Sequence, residues 1–352
     1  MLDKFFGLFS QDLGIDLGTT NTLVYVPEKG IIINESSVVA VNQKTGQIVA
    51  IGNEAKNMIG RTPAHINVIR PLIEGVISDF ETTEEMLAYF IRKVQKSPIK
   101  MFARPRVVIG IPSNVTEVET RAVRDAAKNA GARKVFIVEQ PMAAAIGVKF
   151  SVREPIGNLV VDIGGGTADI AVISLGGIVV SKSLRIAGDK LDQDIIQYAR
   201  DEFKLLIGEK TAEEVKMAIG SATAIKGEEA EATIRGRDLI TGLPREVVVT
   251  DSDIRESISK SLRSLANAVK EVIEETPPEL IADVMHRGIT LVGGGSQLKF
   301  LADYLSKETK IPVYVAEDPL TVVARGMGII LENLEDFREM LIEHEDDIPP
   351  QY

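Results

Sequence analysis

A short pattern occurs twice in the chain and limits what it can fold into. Leu13-Gly14-Ile15-Asp16-Leu17-Gly18-Thr19-Thr20-Asn21-Thr22-Leu23-Val24-Tyr25-Val26 leads apolar residues into an aspartate, turns through Gly and Thr, and returns to apolar residues. Leu159 to Ile173 repeats that order: Asp162 stands 146 residues after Asp16, and Gly164, Gly165, Gly166 and Thr167 form the turn. Each copy reads as a buried strand, a tight turn and a returning strand. Bare glycines free the backbone to take positive φ and let an anion approach its N–H groups, and Thr167 adds a hydroxyl at the same place. An aspartate at a strand end is a poor neighbour for phosphate, but it holds a hydrated divalent cation that neutralises one. A single Gly-rich turn is equally compatible with an ordinary hairpin. Two in the same order suggest a facing pair that clamps a polyphosphate from both sides, with Asp16 and Asp162 sharing magnesium.

The length of 352 residues exceeds what one hydrophobic core usually serves, so two domains are expected, in agreement with the duplication. A hydrophobic fraction of 45% beside 26% charged residues suits a globular protein with a large core. The net charge of −11 without a segregated basic run argues against a nucleic-acid partner. The absence of cysteine excludes a thiolate metal site or disulfide framework and agrees with a reducing cytoplasm. No run of about 18 apolar residues is present to span a membrane.

The first ten residues carry three of the eleven phenylalanines. On a helix, Leu2, Phe5, Phe6 and Phe9 form one apolar stripe. The segment is too short for a signal peptide. It reads either as a terminus that docks on its own domain or as an anchor lying in the plane of a membrane. At ~1.5–3 kcal/mol per buried side chain, one copy binds lipid weakly and many copies in an assembly bind firmly. Asp3 and Lys4 cancel, so attraction to anionic lipid is not the main force.

Strands are predicted at Gly14–Asp16, Thr22–Val26, Ile31–Ile33, Val38–Val41 and Ile48–Ala50, followed by an irregular excursion through Asn53 to Arg70. Thr83–Val94 and Thr116–Ala130 read as helices, the second opened by a near capping box and stopped at Gly131. Lys134–Val138 is the next strand, and Glu139-Gln140-Pro141 leads into a helix over Met142–Val148. Glu139 thus stands where a strand hands over to a helix, between the two phosphate hairpins. A carboxylate there either orients a water toward a terminal phosphate or only complements a helix dipole. In the second half a strand is predicted over Ile178–Ile186, helices from Gly188 to Phe203 and over Thr211–Ile219, strands at Ala232–Arg237 and Val247–Val249, and a long helix from Ser252 to Glu275 stopped by Pro277-Pro278. Glu213 and Lys216, one turn apart, suit a ribose and a base, or a solvated helix face. Gly288 to Leu298 reads as strand, glycine turn and helix start, with Gly293, Gly294, Gly295 and Ser296 placed to pack flat against a planar group. The acidic tail from Glu332 reads as a solvated helix with a frayed end.

Two phosphate hairpins, a central carboxylate and a late glycine turn, in this order, resemble the ATPase superfamily of actin, sugar kinases and heat-shock chaperones. Within it the chain resembles the MreB family of bacterial actins over nearly its whole length. The carrying segments are Asp16–Thr22, Gly60-Arg61-Thr62-Pro63, Val138–Pro141, Asp162–Thr167, Ile173–Val179, Arg235-Gly236-Arg237-Asp238-Leu239-Ile240-Thr241-Gly242-Leu243-Pro244, and Leu291–Gly295. The Gly-Arg-Asp-Leu block is no nucleotide motif and so separates this family from its relatives.

The resemblance implies an α/β, duplicated actin-like ATPase fold: two domains, each with an inserted subdomain, and the nucleotide in the cleft between them. It divides the chain into a first base (residues 1–39, 73–152 and 322–352, with an amphipathic segment 1–10), its insert (40–72), a second base (153–188 and 253–321) and its insert (189–252). It assigns Thr19, Thr20 and Asn21 to the first phosphate loop and Gly164, Gly165, Gly166 and Thr167 to the second. Glu213, Glu214, Val215 and Lys216 fall to ribose and adenine, and Gly293 to Ser296 to the adenosine loop. Asp16 and Asp162 become the Mg-linked aspartates, and Glu139 with Thr167 the hydrolytic residues. Cofactors would be ATP and Mg2+. The implied activity is a weak ATPase coupled to polymerisation into paired antiparallel filaments on the inner face of the cytoplasmic membrane, anchored by Leu2, Phe5, Phe6 and Phe9, and serving cell-wall synthesis and rod shape. Implied partners are further copies of the chain, MreC, MreD, RodZ and the wall-synthesis enzymes. Thr20 stands where many members have Ala, and Ala168-Asp169 where Thr-Glu is common; the hydroxyl bears on hydrolysis rate, and binding is expected to survive. A sugar or acid kinase would need an acceptor pocket with its own base, and none is visible beyond Glu139. A chaperone ATPase would need a substrate domain, whereas the sequence ends soon after the second half closes.

Overall fold

The computed structural model describes residues 10–95, 104–224, 227 and 229–342; the stripe Leu2, Phe5, Phe6 and Phe9 lies outside them. The first half is built on a five-stranded sheet. Leu13–Leu17, Asn21–Val26 and Gly30–Ser36 form an antiparallel meander, and Arg106–Ile111 and Lys134–Glu139 add on in parallel beside Leu13–Leu17. The second half repeats this plan: Asn158–Ile163, Ala168–Ser174 and Gly177–Leu184 make the meander, and Ile289–Val292 and Val313–Val315 the parallel extension. The repeat holds to the residue. Asp16 is paired with Leu23 and Asp162 with Asp169, the same offset in both copies. Sheets covered on both faces need strands that are apolar throughout, and both Asn158–Ile163 and Ala168–Ser174 are buried at every position.

Two helices lie between the halves. Gln140–Gly147, buried along its entire length, packs on the second meander, and Val322–Glu332 packs on the first sheet. One apolar cluster runs from Val108 and Val138 of the first sheet through Ala143–Ile146 and Met327 to Val160, Ala171 and Val292 of the second. Small residues bring the two helices together: a Cβ on Gly326 would overlap the Ala143 carbonyl, and one on Gly147 the Val322 carbonyl.

Each half carries a small three-stranded sheet as an insert, Val39–Asn42 with Ile48–Ile51 and Ile66–Ile69 in the first, and Leu205–Leu206 with Glu231–Asp238 and Pro244–Thr250 in the second. The stretch Asn53–Arg70, read from sequence as irregular, contains the helix Asn53–Met58 and a paired strand; six residues are too few for periodicity to reveal a helix. The family-specific block is the turn of the second insert. Asp238 accepts from the N–H groups of Ile240 and Thr241, both at 2.8 Å, and pairs with Arg245 at 2.9 Å. Those backbone donors, foremost Thr241, together with Arg245, lower its pKa to about 2.

Helix starts follow their caps. Thr116 and Glu119 close a full capping box, as do Thr250 and Asp253. Phe80–Val94 begins ahead of the predicted Thr83 because Asp79 accepts from the Thr82 N–H at 2.9 Å. Pro277-Pro278 ends one helix and opens another, Pro278–Arg287, since proline suits the first turn. The expected helix after the last glycine turn is a single 3-10 turn, Gly294–Gln297, and an α-helix starts only at Leu301. The tail expectation also changes. The last long helix stops at Glu332, and Leu334, Phe337, Met340 and Leu341 fold back against the inter-sheet cluster instead of extending into solvent. Residues 343–352 lie outside the described residues. No helix among the described residues is long and apolar enough to cross a membrane.

Candidate functional site

The tips of the two repeated hairpins meet across a cleft that encloses a cavity of about 450 Å3, the size of a nucleotide-class ligand site. Thr19, Thr20 and Asn21 line it from one side and Gly164, Gly165, Gly166 and Thr167 from the other, with Asp16 and Asp162 at its floor. Glu213 and Lys216 form a further wall, and Gly293, Gly294 and Gly295 another.

The glycines of the second loop serve space more than φ. None of Gly164, Gly165 and Gly166 takes positive φ, contrary to the sequence reading. What they permit is the approach of the other hairpin: a Cβ on Gly166 would lie 2.8 Å from the Thr19 Cβ, and one on Gly165 would overlap the Thr20 side chain. Gly293 does require its residue type, with φ 79° and no room for a Cβ beside the Asp162 carboxylate.

Four other expected residues stand back from the cavity. On the helix Glu209–Ile219 only one face points inward, so Glu213 and Lys216 reach the cleft, whereas Val215 is buried in the core and exposed Glu214 lies 3.9 Å from Lys210. Ser296 supports the glycine turn from behind, its hydroxyl donating to the Gly293 carbonyl at 2.7 Å. Glu139 ends its strand just behind the cleft wall. Its neighbour Gln140 faces the cavity and donates to Asp16 Oδ1 at 3.0 Å. Gln140, Asp189 and Asp192 were missed as site residues, although Gln140 follows the carboxylate already singled out and Asp189 opens a helix directly after a glycine.

Burial dominates the electrostatics. It raises Asp16 to about 6, with the Gln140 hydrogen bond pulling the other way. Asp162 is raised well above the ordinary aspartate value by burial and then by the charges of Asp16 and Asp169. Two buried carboxylates this close ionise together only beside a cation. No group of three or more His, Cys, Asp or Glu side chains able to hold a metal occurs among the described residues. Two carboxylates with phosphate oxygens and water are how magnesium is held, so the donor set fits that ion and not zinc. Glu139 is also raised by burial, with Ser113 beside it acting in the opposite direction.

The two halves are also linked around the cleft mouth. Thr20 Oγ1 donates to Asp189 at 3.1 Å, so this hydroxyl is engaged across the cleft. Arg70 reaches Glu209 at 2.7 Å and Asp189 at 3.5 Å, Lys56 reaches Glu213 at 2.9 Å, and Arg185 reaches Glu74 at 2.7 Å. Lys216 sits 2.8 Å from Asp192, which burial still raises to about 6, and donates to the Gly188 carbonyl at 2.9 Å.

A repeated meander-plus-parallel sheet, a hairpin from each half and a cleft between them define the actin-like ATPase fold. The family model described as MreB/Mbl protein matches residues 10–339. The cell shape-determining protein MreB of Escherichia coli (strain K12) is 50% identical over 340 residues, which cover 95% of this chain and 97% of that protein. The cell shape-determining protein Mbl of Bacillus cereus is 48% identical over 329 residues, covering 93% and 98%. MreB5 of Spiroplasma citri, solved with ADP, superposes with a TM-score of 0.88 at 38% identity and covers 94% of this chain and 98% of its own; its AMPPNP complex gives the same values. The MamK double helical filament, at 22% identity and a TM-score of 0.78, shares the fold. The chain belongs to the MreB/Mbl family.

Proposed function

We propose that this protein is an ATP-binding, ATP-hydrolysing bacterial actin that polymerises into antiparallel double filaments on the inner face of the cytoplasmic membrane and organises cell-wall synthesis and rod shape. The observation that carries the reading is the convergence of both hairpins on one cavity over two buried aspartates. The relatives named for cell shape, and MreB5 bound to ADP and AMPPNP, support it.

In this reading Thr19, Thr20, Asn21 and Gly164–Thr167 present backbone N–H groups and hydroxyls to the phosphates from opposite sides. Glu213 and Lys216 meet ribose and base, and Gly293–Gly295 let the backbone lie flat against the adenine. Asp16 and Asp162 would hold magnesium, which would neutralise the phosphate charge. Glu139, its basicity raised by burial, orients the attacking water, and Thr167 holds the phosphate against it. Each half contributes only part of the site, so occupancy fixes the halves relative to each other and links nucleotide state to assembly. The stripe Leu2, Phe5, Phe6 and Phe9 supplies the membrane contact, multiplied along the polymer. MreC, MreD, RodZ and the wall-synthesis enzymes are the proposed partners besides the chain itself.

Electron microscopy of the purified protein on lipid, with ATP and without nucleotide, tests the reading. Paired filaments lying flat on lipid only with ATP are expected. No filaments in either condition would overturn the cytoskeletal reading, and a screen for substrate-stimulated ATP turnover would then test a small-molecule kinase.

A further inference from the structure

Asp169 is a buried carboxylate to which the nucleotide contacts assign no part. It lies on the returning strand of the second hairpin, two residues after Thr167, and is 1% exposed. It stands opposite Asp162 on one side and Ser183 on the other. Its partners come from both halves of the molecule. The Ser113 N–H, in the first half, donates to Asp169 Oδ1 at 3.1 Å, and the Thr167 and Ser183 side chains of the second half lie beside it and offset the effect of burial on its carboxyl. Ser113 follows the strand Arg106–Ile111, whose last residue is in register with Glu139. The Ser113 hydroxyl is buried beside Glu139 and makes no well-formed hydrogen bond among the described residues, so its hydrogen-bonding capacity is left at the carboxylate that orients water.

We propose that Asp169 is a positioning residue of the hydrolytic reaction, holding Thr167 of the second phosphate loop and Ser113 beside Glu139 in one hydrogen-bonded frame across the two halves. The inference rests on the ATP-hydrolysing reading of the cleft. In that reaction the water oxygen bonds to the γ-phosphorus as the bond from that phosphorus to the β–γ bridging oxygen breaks. ADP keeps the electron pair, and the water proton passes through Glu139 to solvent, leaving ADP, phosphate and a proton. Glu139 belongs to one half and Thr167 to the other, so their separation and angle vary with any relative motion unless something spans them. Asp169 spans them, accepting from the Ser113 N–H on one side and lying beside Thr167 on the other, and in-line attack tolerates little misalignment.

The test uses the full-length protein with Mg-ATP, comparing phosphate release, KM for ATP and the pelleted filament fraction. Asp169→Ala is expected to lower kcat about tenfold or more, the cost of a displaced reacting group, with KM and pelleted fraction within about twofold of the parent. Asp169→Asn keeps an oxygen that accepts from the Ser113 N–H and is expected to stay within about threefold of the parent kcat. If Asp169→Ala fails to fold, Asp169→Ser, too short to reach Ser113, carries the same expectation. An Asp169→Ala protein that turns over like an active parent overturns the inference alone. So does a parallel loss of kcat, ATP binding and thermal stability that Asn does not rescue. A parent that binds ATP and releases no phosphate overturns the ATPase reading and the inference with it.

Discussion

Asp16 and Asp162 occupy one position of a repeated hairpin, and burial makes the charge of each unfavourable without a cation. The consequence for stability has a definite sign. Asp16 has a folded pKa of about 6 against an ordinary 3.8, so the folded protein keeps a proton that the unfolded chain has lost. The stability from that proton is complete below pH about 4 and is lost as pH rises to about 6. In protein free of nucleotide and magnesium, the melting temperature is therefore expected to decline more steeply across this window than in Asp16→Asn. Equal slopes would remove Asp16 from the account. Mg-ATP at neutral pH is expected to raise the melting temperature of the parent more than that of the variant. In the proposed reading Glu139 acts on rate instead. Glu139→Ala is expected to keep ATP affinity and slow phosphate release about a hundredfold, as loss of a positioned base does, and unchanged turnover would exclude it. That Asp16, Asp162 and the two hairpin tips meet at one cleft was legible in the sequence because duplication marked them twice. Glu214 and Val215 stand back from the cavity, because a continuous stretch of sequence conceals which face of a helix points inward, and Ser296 stands behind its glycine turn. The glycines were recognised for the wrong reason: their value lies in contact with Thr19 and Thr20, residues distant in sequence.

The repeated sheets could be read from strand patterning, since buried parallel strands announce themselves as apolar runs. The inserts were harder. Asn53–Met58 is too short to show a period, and its place is fixed by packing of Ala55 against Val38 and Ala40. Nor did any local signal foretell that this insert would meet the other across the cleft. The ion pairs Lys56–Glu213 and Arg70–Glu209 join helices and strands that are far apart in the chain and half exposed, so each is worth only ~0.2–1 kcal/mol. In the proposed reading nucleotide passes between the inserts they connect, so they bear on kinetics. Lys56→Glu replaces attraction to Glu213 with repulsion and is expected to speed release of a fluorescent ATP analogue several-fold, an effect that high salt should diminish. Salt-independent release equal to the parent would show that the inserts do not restrain exit.

The proposed attachment to lipid is tested at the scale of the whole molecule. Replacing Phe5, Phe6 and Phe9 together with polar residues is expected to abolish co-sedimentation with liposomes while leaving ATP-dependent polymerisation intact. Retained sedimentation would make the segment a terminus docked on its own domain. The glycine contacts between Gln140–Gly147 and Val322–Glu332 have a mechanical consequence. With Gly326 against the Ala143 carbonyl and Gly147 against the Val322 carbonyl, these helices cannot part without exposing buried peptide groups, and Ile146, Val322 and Met327 pack around the contact. A single methyl group added at Gly326 would therefore open the seam on which both central sheets are packed.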